Sequence, residues 1–112
     1  MRRILQIIYD PVRGSVRHEL LTEAGFDVVT AMDNLEAKEL CEQNKFAAII
    51  VGYGAPLPDR KSMVQWLREN CRGVPIISLH SEKFMPVWEA DYRIDGTNSK
   101  AVLNTLRSVV PN

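Results

Sequence analysis

Short apolar runs alternate with amphipathic stretches along this chain, the pattern that builds a parallel sheet covered by helices. The first run, Ile4 to Tyr9, predicts a strand. The stretch after it places Val12, Val16, Leu20, Leu21 and Ala24 at helical spacing, with Gly25 as the C-terminal stop. Phe26 to Ala31 predicts a second strand. Asp33 and Glu36 form a capping pair, and Leu35, Ala37, Leu40 and Cys41 give the following helix its buried side. Ala47 to Val51 predicts a third strand.

Beyond a loop through Pro56, Pro58 and Asp59, a third helix carries Met63, Trp66 and Leu67 on one face and ends near Gly73. Val74 to Leu79 is continuously apolar, as a strand buried on both faces should be, and Tyr92 to Ile94 is a shorter strand. A last helix begins near Asn98, turns Val102, Leu106 and Val109 to one side, and is stopped by Pro111. No repeat, linker or low-complexity stretch divides the chain, so one α/β domain over residues 1–112 is expected.

Composition narrows the functional classes. Over 112 residues, 46% are hydrophobic and 25% charged, ordinary values for a globular domain. The formal net charge is zero, so the basic footprint that nucleic acid or an anionic membrane would attract is missing. Cys41 and Cys71 lie far apart without ligand-spaced neighbours, and reduced, buried thiols are expected rather than a zinc site or a redox pair. The basic start Arg2-Arg3 leads into an apolar run that Tyr9, Asp10 and Pro11 end far short of a signal peptide, so the expected location is the cytoplasm.

In one register over almost its whole length, the chain resembles a response-regulator receiver domain. Ile4 to Ile8 is similar to that family's first strand. The segment Leu20-Leu21-Thr22-Glu23-Ala24-Gly25-Phe26-Asp27-Val28-Val29 is similar to its first helix, glycine-aromatic turn and second strand. Phe46 to Val51, Pro56 with Asp59, Val74 to Leu79, and Ala90-Asp91-Tyr92 fit the surroundings of the third, fourth and fifth strands. The resemblance implies a flavodoxin-like three-layer sandwich with a five-stranded parallel sheet in the order 2-1-3-4-5.

It also implies a phosphorylation pocket, and each chemical position of that pocket is changed here. Ile8 and Tyr9 stand where two acids would help hold magnesium, which requires hard oxygen ligands. Gly52 takes the place of the aspartate that accepts the phosphoryl group. His80 replaces a threonine or serine, and Asp95-Gly96 replaces a lysine-proline pair, reversing the sign of the charge. The expectation is a pseudo-receiver without catalytic, cofactor-binding or metal-binding residues, which docks on another signalling protein or on itself as a homodimer.

Other readings stay open. Asp10, one residue beyond the missing acids, could form a weak cation site with Asp95, or could simply cap the first helix, as could Ser15. His80 reads as a phosphoryl carrier, a pH switch or a polar loop residue. Asp10 to Ser15 with Arg13 opens a helix, where an anion can bind, so a small anion or metabolite near Asp10, Gly52 and His80 is the alternative function. The chain could also be a structural piece of a longer regulator.

One departure concerns architecture. Only Ser81 to Asp91 join the fourth and fifth strands, and Pro86 falls in the middle, so the helix expected there should be missing or shortened. Phe84, Met85 and Trp88 would then pack on the uncovered sheet. If exposed, with Tyr92, they would mark an interaction surface.

Overall fold

The computed structural model describes residues 2–110, so the expected stop at Pro111 lies outside the described residues. Five strands form one parallel sheet: β1 (Arg3–Ile7), β2 (Asp27–Ala31), β3 (Ala48–Val51), β4 (Ile76–His80) and β5 (Tyr92–Asp95), in the order β2-β1-β3-β4-β5. The helices are α1 (Pro11–Glu23), α2 (Asn34–Gln43), α3 (Leu57–Asn70) and α4 (Ser99–Val109). The expected topology is therefore observed, with strand ends displaced by a residue or two. Gly25, at φ +96°, lets the chain leave α1 and turn into β2.

Alternation along the strands separates two cores. Leu5, Ile7, Ile49, Val51 and Ile76 pack beneath α2 and α3 against Ala37, Met63, Val64 and Leu67. Ile4, Ala48, Ile50, Ile77 and Leu79 pack beneath α1 and α4 against Leu21, Val102 and Leu106. Asp33 caps α2 by accepting from the Glu36 N–H at 2.8 Å, while the Glu36 carboxylate reaches back to the Met32 N–H at 2.7 Å. The capping pair read from sequence is thus realised. Leu35 is exposed, so the buried side of α2 starts at Ala37 and continues through the partly buried Leu40 and Cys41.

The first helix corrects the sequence reading more sharply. Val12 and Val16 are 73% and 61% exposed, and the side turned to the sheet carries Gly14, Arg17 and Leu21. The cause lies in β1. Gln6 is buried beneath α1, where its Nε2 donates to the Gly14 carbonyl at 3.1 Å and its Oε1 accepts from Arg17 Nη1 at 3.0 Å. That polar pairing, with Gly14 pressed on Ile8, turns the valine stripe outward.

No helix joins β4 to β5. Residues 81–91 run as turns, opened by an isolated bridge between Ser81 and Phe84. Polar anchors replace helical hydrogen bonding. The Val87 N–H donates to Ser78 Oγ at 2.9 Å, and Arg60 Nη1 donates to the Met85 carbonyl at 2.7 Å. Arg68 clasps Asp91 through Nη1 at 2.9 Å and Nη2 at 2.8 Å, and Asp91 in turn accepts from the Ile76 N–H. Val87 and Ala90, not Met85 and Trp88, supply the buried apolar cover.

Candidate functional site

The carboxyl ends of the strands gather the sequence-predicted residues, but they do not form one pocket. Ile8 is buried under α1, so close that a Cβ on Gly14 would lie 2.5 Å from Ile8 Cγ2. Tyr9 turns to the opposite face, where its hydroxyl is 2.5 Å from Asn34 Oδ1. Burial raises its pKa and outweighs the Arg60 charge, which favours ionisation, while Asp59 and Asp33 add to the rise. The phenol stays protonated and donates. Neither residue offers the anionic oxygen a hard cation requires.

Asp10 is consumed locally. Its Oδ1 accepts from the Val12 N–H at 3.1 Å and the Arg13 N–H at 3.4 Å as the cap of α1, and Arg13 Nε lies 3.7 Å from Oδ2. Asp95 does the same across the site, accepting from the Thr97 N–H at 2.9 Å and Thr97 Oγ1 at 2.7 Å. Those two hydrogen bonds, with the nearby His80, hold its carboxyl below the usual range. His80 and Asp95 are register partners on β4 and β5. Each carboxylate closes its own turn, and among the described residues neither belongs to a cluster of three or more acids, histidines or cysteines that could hold a metal.

Gly52 follows β3 and is buried. Its N–H donates to the Ile7 carbonyl at 2.9 Å, and a Cβ placed on it would stand 2.8 Å from that same oxygen. The backbone itself occupies the space a side chain would need. On the other flank, Arg17 Nη1 lies 3.8 Å from that Cβ position. A guanidinium from α1 thus reaches the neighbourhood of Gly52, while the strand β5 position carries an acid. Gly96 is equally confined, since a Cβ there would lie 2.5 Å from the Tyr53 ring.

On the β4–β5 connection, Phe84 points inward and stacks on Tyr53 with ring centroids 6.0 Å apart and 29° between planes. It is partly buried and does not belong to the exposed apolar groups. Met85, Trp88 and Tyr92 are exposed, Trp88 by 66%. The indole is held in place: Arg93 lies 5.4 Å from its ring centroid and donates to the Trp88 carbonyl at 3.0 Å.

Three residues carry much of this geometry and were not singled out from sequence: Arg17, Tyr53 and Arg60. For Arg17 a signal existed, since Gly14, Arg17 and Leu21 share a helical stripe that competes with the valines. The two cysteines were also separated too readily by sequence distance. Cys41 on α2 and Cys71 after α3 are both half-buried and line the same cavity, near enough for the Cys71 thiol to act on the ionisation of Cys41. Burial first, then the neighbouring Cys71 thiol, pushes the Cys41 pKa up to about 12, which keeps it a thiol.

No protein-family model matches the chain, and no curated protein matches it. Solved structures do. The receiver domain of sensor histidine kinase PA1611 from Pseudomonas aeruginosa, with magnesium in its own active-site cleft, superposes with a TM-score of 0.83 at 22% identity, covering 99% of this chain and 98% of that one. The chemotaxis protein CheY4 of Vibrio cholerae gives 0.80 at 26% identity over 97% of this chain and 98% of its own. The receiver domain of the hybrid histidine kinase CckA gives 0.78 at 20% over 96% and 98%. With the strand order and helix placement above, these likenesses establish that the chain has the flavodoxin-like fold of response-regulator receiver domains.

Proposed function

We propose that this protein is a pseudo-receiver: a signalling module that docks on another protein, or on a second copy of itself, without being phosphorylated. The observation that carries this reading is the confinement of Gly52, where the Ile7 carbonyl oxygen lies 2.8 Å from any added Cβ. An acceptor is absent there, and the backbone has closed over its place. The surrounding groups agree, since Tyr9 is engaged with Asn34 and Asp95 puts a negative charge where an incoming phosphoryl group would need a positive one. A domain without an acceptor cannot be shifted between states by phosphorylation, so its signal rests on what it contacts.

The docking surface we assign is the face formed by Met85, Trp88 and Tyr92, exposed apolar groups on a connection pinned by Arg60 and Arg68. A backbone anchored in this way loses little freedom on binding, and an exposed tryptophan on it offers a large apolar contact. Two measurements test the reading together. Incubation with magnesium and acetyl phosphate, followed by intact mass, should show no phosphoryl adduct; an adduct would overturn it. A photo-crosslinker at Trp88 should trap a discrete partner or a second copy in cells, and a Met85→Ser/Trp88→Ser variant that keeps every interaction of the parent would remove the assigned surface.

A further inference from the structure

Between α1 and α4, at the carboxyl end of the sheet, lies a cavity of about 510 Å³. Val12, Val16 and Val102 contribute apolar lining, and Arg13, Arg17 and Tyr53 are among its several polar residues. Apolar lining combined with convergent polar groups is usual for small-molecule sites.

Two of those polar groups lack what burial normally demands. Arg17 is 8% exposed, yet among the described residues no carboxylate lies within ion-pair distance of it, and its one hydrogen bond goes to the neutral Gln6 amide. A guanidinium does not shed its proton to escape this, so the charge stays and calls for an anion. Burial works against that charge, Arg13 adds to the cost, and nearby Asp10 only partly compensates. The second group is the Tyr53 hydroxyl, which has no hydrogen-bond partner among the described residues and is shut off from solvent, so an anion reaches it only as the side chains over it give way. Asp10 is the one acid on the lining, and its carboxylate is already held by the Val12 and Arg13 N–H groups.

We propose that this cavity binds a small organic anion, a carboxylate or phosphomonoester with an apolar body, whose head is held by Arg17 and the Tyr53 hydroxyl while its body lies on Val16 and Val102. The site borders the strand-end position of Gly52 through Arg17 and does not include the Trp88 face, and it stands whether or not the docking reading holds. Bound there, the anion would complete a charge that the fold leaves unpaired and would bridge α1 to α4.

The test is a titration of isotope-labelled protein with phenyl phosphate and, separately, benzoate, using benzyl alcohol as the uncharged control. Saturable shifts at the Tyr53 and Gly96 amides and the Arg17 Nε, with a rise in melting temperature for the same anion, are expected. Response to one anion alone identifies the head group. Tyr53→Phe removes a hydroxyl that has no partner in the free protein, so it should fold normally and weaken binding by about tenfold. Arg17→Met should abolish binding; because it also strips the buried Gln6 Oε1 of its donor, it is expected to lower the anion-free melting temperature, and Tyr53→Phe is the variant that reports binding without that loss. No saturable shift with either anion, equal binding of benzyl alcohol, or binding unchanged in both variants would overturn the proposal.

Discussion

Arg60 of α3 donates from Nη1 to the Met85 carbonyl at 2.7 Å and from Nε to the Ala55 carbonyl at 2.8 Å, with its side chain fully buried. One cation therefore fixes both the loop after β3 and the connection between β4 and β5. Backbone carbonyls in an irregular buried segment need donors, and here no helix supplies them. Arg60→Ala leaves both carbonyls unpaired and a void beneath Phe84, so we expect a loss of about 2–5 kcal/mol. Urea unfolding measures that loss. Hydrogen exchange should speed up first at Phe84 to Ala90, and unchanged protection there would show that the connection is held by something else.

The closeness of Gly52 to the Ile7 carbonyl makes any side chain at this position unfavourable. Gly52→Asp must push the end of β3 away from β1, at a cost of about 1–3 kcal/mol, as overpacked sites do. We expect the variant to melt below the parent and to remain unphosphorylated by acetyl phosphate with magnesium, because Tyr9 and Asp95 are unchanged. Gly52→Ala should destabilise as well, which separates the steric effect from the added charge. A Gly52→Ala protein as stable as the parent would mean that the backbone yields freely.

The strands, their order and the loss of one helix could be read from the chain because they rest on runs of like residues: Ile76 to Leu79 has no other place than the middle of a sheet, and eleven residues around Pro86 are too few for a crossover helix. Which face of α1 is buried could not be read the same way. Val12 and Val16 offered the more apolar stripe, but Gln6 on β1 and Arg17 on α1 satisfy each other only across the helix–sheet interface, and a pairing between distant residues leaves no periodic trace. Tyr53 and Phe84 were hidden for the same reason, as they meet only because the missing helix lets residue 84 fold back on the end of β3.

The thiols of Cys41 and Cys71 should be unreactive although they are neighbours. With Cys41 pushed up to about 12, chiefly by burial, little thiolate exists at pH 8, and iodoacetamide should modify it far more slowly in the folded than in the urea-unfolded protein. The same shift has a linkage sign. A thiol that holds its proton more tightly in the fold stabilises the protein fully below its ordinary pKa of 9.0, and that contribution is lost as pH rises toward about 12. Cys41→Ser should therefore flatten the fall in stability above pH 9. A variant with the parent's alkaline profile would contradict the assignment.

The acid side depends on Asp91. Partial burial raises its carboxyl, but the hydrogen bonds from Arg68 and the Ile76 N–H, with the charges of Arg68 and Arg93, outweigh that and hold it below 3.8. Because the folded carboxyl is more acidic than the unfolded one, its contribution is present above the unfolded value and disappears as pH falls through the lower, folded value. Asp91→Asn should cost about 1 kcal/mol at pH 7, a modest figure because the side chain is still 36% exposed to screening water. The gap between variant and parent should close below about pH 4, where the unfolded carboxylate takes up its proton. Chemical denaturation across pH 2.5 to 7 decides the matter: a gap that stays constant would show that Asp91 acts through shape and hydrogen bonding alone, not through its charge on Arg68.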